Sequence, residues 1–179
     1  MATGPILETP RLRMTPFTER FVTARYLGWL NDPNVVRFSE RRHRVHSEDT
    51  AREYLASFSG TPNCFWAIVS KDEECGHIGN ITAQIDTHNS LADISILIGQ
   101  LSSWGQGFGT EAWQAVMAYL LDDVGLRKIT GGTLALNVGM LEIMRRSGMR
   151  EDGRRHRHYI VEGEEVDVVH MAAFRRDGA

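Results

Sequence analysis

Trp104-Gly105-Gln106-Gly107-Phe108-Gly109-Thr110-Glu111-Ala112 decides how the rest of the chain is read, because three alternate glycines stand between a strand-like apolar run and an amphipathic, helix-like one. Glycine has no Cβ to hold a ligand off the main chain and tolerates positive φ, so Gly105, Gly107 and Gly109 allow successive N–H groups to turn toward one anion. A helix opening near Gly107 would add its unpaired first-turn amides and the positive end of its dipole. The stretch therefore reads as a phosphate cradle; the alternative is a glycine-rich turn that only caps a helix.

Spacing separates three kinds of cradle. A nucleoside-triphosphate loop ends in Gly-Lys-Ser/Thr, whereas Gly109-Thr110 has no lysine. A dinucleotide fold requires G-x-G-x-x-G and an acidic residue closing the next strand, whereas here the spacing is G-x-G-x-G and the next strand runs into Asn137. The pyrophosphate loop of an acyl-coenzyme A transferase fits better, and the fit extends beyond the glycines. Ile94-Ser-Ile-Leu-Ile-Gly99, then Trp104 to Ala112, then Asn137 and Ser147-Gly148-Met149 together resemble the GNAT N-acetyltransferase superfamily. Within it the Trp-Gly-x-Gly form is similar to the Rim-type branch, related to ribosomal-protein N-terminal acetyltransferases.

A chain of 179 residues with 42% hydrophobic content can bury a sizeable core and is short for two ordinary domains, so one domain over 1–179 is expected. The formal net charge of −3 offers no general attraction to nucleic acid. Met1 to Pro10 lacks a basic start and an apolar run, and no apolar segment is long enough for a membrane span, so a cytoplasmic protein without membrane contact is expected. Cys64 and Cys75 lack metal-ligand spacing and read as thiols on neighbouring strands, with neither metal nor disulfide.

The order of elements predicts one mixed α/β sheet flanked by helices. A strand near Arg11–Thr15 precedes a helix over Glu19–Leu30 that stops at Asn31-Asp32-Pro33. Ser47 is placed to cap a helix over Glu48–Phe58. Strands are predicted over Cys64–Ser70, Gly76–Gln84 and Ala92–Gly99, the first two joined by a charged turn, Lys71–Glu74. A long helix over Gly107–Val124, a strand over Lys128–Leu136 and a short helix over Val138–Arg146 follow. Two tail strands, Arg154–Val161 and Val166–Phe174, turn at Glu162-Gly163.

The resemblance implies a mostly antiparallel sheet in which two strands splay apart and the pantetheine arm of acetyl-coenzyme A inserts between them. On that analogy main-chain groups around Ile98 and Gly99 bond the arm, and the segment Trp104, Gly105, Gln106, Gly107, Phe108, Gly109 and Thr110 holds the pyrophosphate. Asn137 matches a position that contacts the arm, and it equally suits a helix N-cap. Two positions depart from the family pattern. Met140 stands where a small or hydroxyl residue is common, and Met144 where many members place a tyrosine acid for the leaving thiolate. The loss is tolerable because a thiol with a pKa of about 8.5 already leaves well near neutrality. A silent acyl-coenzyme A binding module is the reading those two methionines keep open.

Acetyl transfer to an amine requires a neutral nitrogen, a polarised carbonyl and a destination for the proton. Strand alternation puts Asp93 and Ser95 on one face, and Asp93 is the first candidate for the proton, with His88 in the preceding loop second. For the acceptor, Arg41-Arg42-His43-Arg44 and Arg154-Arg155-His156-Arg157-His158-Tyr159 are basic clusters that suit an anionic acceptor or the cofactor's ribose phosphate, or are simply solvated faces. Tyr26 to Pro33, His77 to Ile81, Ala92 to Gly99 and His158 to Gly163 resemble Rim-type members that modify amino sugars, including nucleotide-linked ones. A small amine is thus the expected partner, bound by Arg41, His43, Asn80, His158 and Tyr159. A protein N-terminus, an aminoglycoside and a polyamine are the alternatives, the last disfavoured because basic clusters repel a polycation. The resemblance leaves a homodimer open.

Overall fold

The computed structural model describes residues 4–175 apart from Glu73. In chain order it contains β1 (Leu7–Glu8), β2 (Leu12–Pro16), α1 (Ala24–Asn31), α2 (Pro33–Val36), α3 (Glu48–Ala56), β3 (Cys64–Ser70), β4 (His77–Asp86), β5 (Leu91–Ile98), α4 (Phe108–Ala118), β6 (Lys128–Leu134), α5 (Val138–Arg146), β7 (Arg150–Val161) and β8 (Glu164–Phe174). The strands form one eight-stranded sheet in the order β1-β2-β3-β4-β5-β6-β8-β7. Each neighbouring pair is antiparallel except β5 and β6, which are parallel. The mixed, mostly antiparallel sheet expected from the sequence is therefore the one observed.

Local chemistry fixes most boundaries. Thr23 caps α1 by accepting from the Tyr26 N–H, and Asp32 caps α2, where Pro33 occupies the first turn. Ser47 and Thr50 form a reciprocal capping box at α3. At the end of α5, Gly148 adopts φ 81°, its N–H reaches the Arg145 carbonyl, and the Met149 N–H reaches the Met144 carbonyl. This Schellman arrangement sends Met149 back into the core, where it accepts from the Trp113 indole N–H at 3.3 Å.

Several expected boundaries move. The helix predicted over Glu19–Leu30 is broken: a 3-10 turn covers Glu19–Phe21, and the Thr23 cap restarts the chain as α1. The helix predicted over Gly107–Val124 stays α-helical only to Ala118 and then widens into a π turn at Tyr119–Asp123. The strand after it stops at Leu134, because the Asn137 N–H turns back to the Leu134 carbonyl. Cys75 lies half-buried in the β3–β4 turn rather than on a strand. Glu73 of the expected turn, Met1–Thr3 of the stretch Met1 to Pro10, and 176–179 at the end of the expected domain lie outside the described residues.

The sheet separates two cores. One face packs Ile68, Ile81, Ala92 and Ile94 against Trp113, Val116 and Leu120 of α4 and the π turn, and Leu141 and Met144 of α5. The other packs Phe65 and Ala67 against Tyr26, Trp29 and Leu30 of α1 and Leu55 of α3. His77 sits within this second core, its ring centroid 4.9 Å from both Phe21 and Trp29, with its Nε2 2.9 Å from the Gly79 carbonyl oxygen. Burial pushes its pKa down to about 4, so the ring is neutral near pH 7 and Nε2–H is the donor. A small third cluster, Leu134, Val161, Val166 and Val168, carries Phe38 and Tyr159 at its margin.

Candidate active site

The site begins where β5 and β6 part. Their pairing comprises Leu91–Lys128, Ala92–Ile129 and Asp93–Thr130, while β5 continues to Ile98 and β6 to Leu134 without further partners across the gap. The result is a wedge with Asp93 at its apex, lined by main-chain groups of β5 that face no neighbouring strand. A bulge ends β5: the N–H groups of Gly99 and Gln100 both reach the Ile78 carbonyl. Because Gly99 N–H points toward β4, the Ile98 carbonyl of the same planar peptide points the other way, over the wedge, where it accepts from the Trp104 indole N–H at 2.8 Å. Glycine is required at the bulge, since a Cβ on Gly99 would fall on the Trp29 indole.

The glycine stretch closes the wide end. Gly105 and Gly107 adopt φ 75° and 82°, and Gly107 is the N-cap of α4 with no side chain capping the helix. The first intrahelical bond at this end runs from the Glu111 N–H to the Gly107 carbonyl, so the amides of Phe108, Gly109 and Thr110 lack helical acceptors. A Cβ on Gly109 would stand 2.8 Å from the Cδ1 of Ile143 on α5, so that side chain would have to turn to admit it. These features fit an anion of pyrophosphate type, with exposed amides, a dipole end and no Cβ atoms in the way.

Sequence reasoning missed the clamp behind this loop. Arg11 stacks 4.5 Å from the Phe108 ring, donates to the Gln106 carbonyl at 2.9 Å, and pairs with Glu111 through Nε at 2.7 Å. Glu111 also accepts from the Thr9 hydroxyl and the Arg11 N–H. Burial pushes the Glu111 carboxyl up, but these hydrogen bonds and the Arg11 charge outweigh it and hold the group below its ordinary value. Two residues one hundred positions apart therefore set the pitch of the glycine loop, and no spacing within either segment signals it. Asn137 caps α5 by accepting from the Met140 N–H at 3.2 Å, the capping role that its position suggested. Met144 is fully buried, so no titratable side chain projects from that point of α5.

The face carrying α1 and α3 holds the polar groups near the wedge. Asp93 shares it with Ser95 on β5, with Asn80 and Thr82 on β4 through the register Asn80–Leu97 and Thr82–Ser95, and with Thr130 on β6. Asp93 accepts from the Thr130 hydroxyl at 2.7 Å, and the surrounding protein raises its carboxyl above the ordinary range by desolvation, against that bond and the charge of His170. Asn80 Oδ1 and His170 Nε2 are buried without a hydrogen-bond partner among the described residues. His170 was not anticipated, because its place opposite Gly132 of β6 depends on the order in which the last strands join the sheet.

The other expected residues are dispersed. His88 lies exposed in the β4–β5 turn, before the paired end of the wedge, and is not brought together with Asp93. Arg41 stacks 4.8 Å from the Tyr54 ring beside the second core. His43, with Arg37, Arg42, Arg44, Leu30 and Glu162, lines a pocket of about 620 Å³ between α1, α2 and the β7–β8 turn. His158 is exposed on β7, the outermost strand, while Tyr159 packs beside the third cluster. Part of the second basic cluster is met by carboxylates where β7 bulges: Asp167 accepts from the Arg157 main-chain N–H at 2.9 Å and lies 3.1 Å from His156 and 3.4 Å from Arg154, and the Arg157 guanidinium lies 3.6 Å from Glu165. Among the described residues there is no cluster of three or more His, Cys, Asp or Glu able to hold a metal, and no helix long and apolar enough to cross a membrane.

A wedge between two parallel strands, a bulge at its rim and a glycine loop on a helix N-terminus define an acyl-coenzyme A dependent transferase. The family model for the acetyltransferase (GNAT) domain matches residues 11–150, and the chain belongs to that family. It is 27% identical over 124 residues to an uncharacterized N-acetyltransferase p20 of Bacillus licheniformis, covering 69% of this chain and 68% of that one. The fold is similar to the ribosomal-protein-S5-alanine acetyltransferase of Vibrio fischeri, with TM-score 0.81 and 12% identity over 97% of this chain and 98% of that one. It is also similar to RimL, a ribosomal L7/L12 α-N-protein acetyltransferase in complex with coenzyme A, with TM-score 0.79 and 19% identity over 95% and 98% of the two chains. The protein is a GNAT N-acetyltransferase that uses acetyl-coenzyme A.

Proposed function

We propose that the chain is a Rim-type amine acetyltransferase of the cytoplasm whose acceptor is an amino sugar carrying an anionic group, as a nucleotide-linked sugar does. The observation that carries this reading is the pocket beside α2, where Arg44 has no ion-pair partner among the described residues while Arg37 and Arg42 are engaged by Glu162 and Glu40. A guanidinium left over after local pairing is suited to a phosphate or carboxylate on the acceptor. The same pocket disfavours a polyamine, whose charges it would repel.

Acetyl-coenzyme A supplies an activated thioester carbonyl. The amides from Gly105 to Thr110 hold its pyrophosphate, the free edge of β5 near Ile98 and the Asn137 side chain orient its arm, and Asp93 serves proton removal at the apex. Attack by the amine is direct, in a ternary complex. Cys64 is buried, and desolvation and then the Asp72 carboxylate raise the Cys75 thiol, so neither cysteine is poised as an acyl-carrying thiolate.

Initial-rate kinetics on a panel of sugar nucleotides, aminoglycosides, polyamines and short peptides test both parts. Intersecting double-reciprocal plots with a sugar nucleotide as the preferred acceptor are expected. Parallel plots would remove direct attack, and preference for a peptide N-terminus would remove the amino sugar.

A further inference from the structure

We propose that His170 is a catalytic residue, the base that takes the acceptor's proton, with Asp93 as its charge partner across the apex of the wedge. The inference deepens the proposed function and rests on it for the existence of an amine acceptor.

The placement of His170 is unusual for a strand interior. Both of its cross-strand neighbours are glycine, Gly132 on β6 and Gly153 on β7, so no side chain stands directly across from the imidazole on either ladder. The ring leans toward β6: a Cβ on Gly132 would meet its Nδ1 at 3.1 Å and Cε1 at 3.3 Å, whereas one on Gly153 would meet nothing within 4 Å. Leaning toward β6 is leaning toward the wedge. Nε2 is buried and has no hydrogen-bond partner among the described residues. A buried imidazole nitrogen without a partner forgoes a hydrogen bond, a cost that a structural histidine avoids, as His77 does by donating to Gly79.

Asp93 lies on the same face through Thr130, and its carboxylate feels the charge of His170. Other charged groups on this face of the last strands include Lys128 on β6, paired with Asp152 at 2.7 Å, Arg150 and Arg155 on β7, opposite Ala172 and Val168, and Glu164 on β8. Asp93 is the anion placed to balance a proton taken up by the ring. In the transfer, the amine nitrogen forms its bond to the acetyl carbon as the carbon–sulfur bond breaks. The proton lost from nitrogen lands on Nε2 and passes to the departing sulfur, which leaves His170 neutral for the next cycle.

Three measurements test this. His170→Gln should lower kcat about 100-fold near pH 7 and remove the acidic limb of the kcat/KM profile, with coenzyme A affinity and the thermal midpoint close to wild type. Retention of that limb with kcat within threefold would overturn the proposal. Independently of turnover, the imidazole titration of His170 in the free protein, followed by NMR, should move to lower pH on Asp93→Asn; an unmoved titration overturns the pairing even if the variant proteins are inactive for other reasons. If wild type acetylates no amine in the panel, it is the acceptor reading that fails, and the titration still decides whether Asp93 and His170 act together.

Discussion

The two ends of the wedge are built from different materials. The end proposed for the cofactor offers main-chain groups: two glycines at positive φ, free amides at the start of α4 and a strand edge without a partner. The end proposed for the acceptor offers side chains, and they come from α2, the basic turn after it, β4, β8 and the β7–β8 turn. A main-chain site leaves its mark in a contiguous run of sequence, because only glycine permits the backbone geometry. A side-chain site assembled from distant elements leaves none, since each residue on its own is an ordinary Arg, Asn or His.

The largest effect expected from this division is on acid stability. His77 lies in the core on the face carrying α1 and α3, and among the described residues no histidine belongs to the core facing α4 and α5. Its folded pKa is depressed to about 4 against an ordinary 6.5, so its stabilising contribution is complete above pH 6.5 and is lost as pH falls toward 4. The shift corresponds to about 3 kcal/mol at the bottom of that window. Urea unfolding between pH 7 and 4 should show that loss in wild type and a flatter profile in His77→Gln, which keeps a donor for Gly79 without a titrating ring. Fluorescence of Trp29, which touches His77, should change at a higher pH than hydrogen-exchange protection of α4. Loss of both at one pH would erase the distinction between the two faces.

What could be read from the sequence follows the same division. The β3 and α5 boundaries, the Ser47 cap and the turn at Glu162-Gly163 are local, and the structure has them where the residues put them. The fold class followed from the motif at Trp104–Ala112 together with the order of elements. His170 and the Arg11–Glu111 clamp were not legible, because the first needs β8 to insert between β6 and β7 and the second joins the first turns of the chain to α4. The break between Phe21 and Ala24 was masked for a different reason: Phe21, Tyr26, Leu27 and Leu30 keep nearly helical spacing across it, and only the Thr23 cap betrays the restart.

A smaller effect is expected at the cofactor end. Gly107→Ala forces a Cβ into φ 82°, where an L-residue costs about 1–2 kcal/mol, although the space itself is tolerable because the nearest atom, Arg11 Nη2, would be 3.5 Å away. Relief of that strain would rotate the very amides assigned to the pyrophosphate. Calorimetry should find coenzyme A affinity about tenfold weaker, equivalent to about 1.4 kcal/mol, and the loss should be identical for every acceptor. A loss confined to one acceptor would mean that the loop also shapes the acceptor end.

The smallest effect is the most selective. Arg44→Ala should raise KM for an anionic amino sugar about fivefold, close to 1 kcal/mol for an exposed charge-assisted contact, and leave KM for an uncharged amine and the affinity for coenzyme A unchanged. Added salt should weaken the wild-type preference and have little effect on the variant, because an exposed guanidinium is screened over a Debye length of about 8 Å at physiological ionic strength. Arg37→Ala provides the contrast. Its guanidinium is already met by Glu162 at 3.3 Å, so removing it frees that carboxylate beside the pocket and should oppose an anion more than the lost cation alone would. If Arg44→Ala and Arg37→Ala instead act alike on charged and uncharged acceptors, the pocket shapes the fold at this end and the acceptor's charge is read elsewhere.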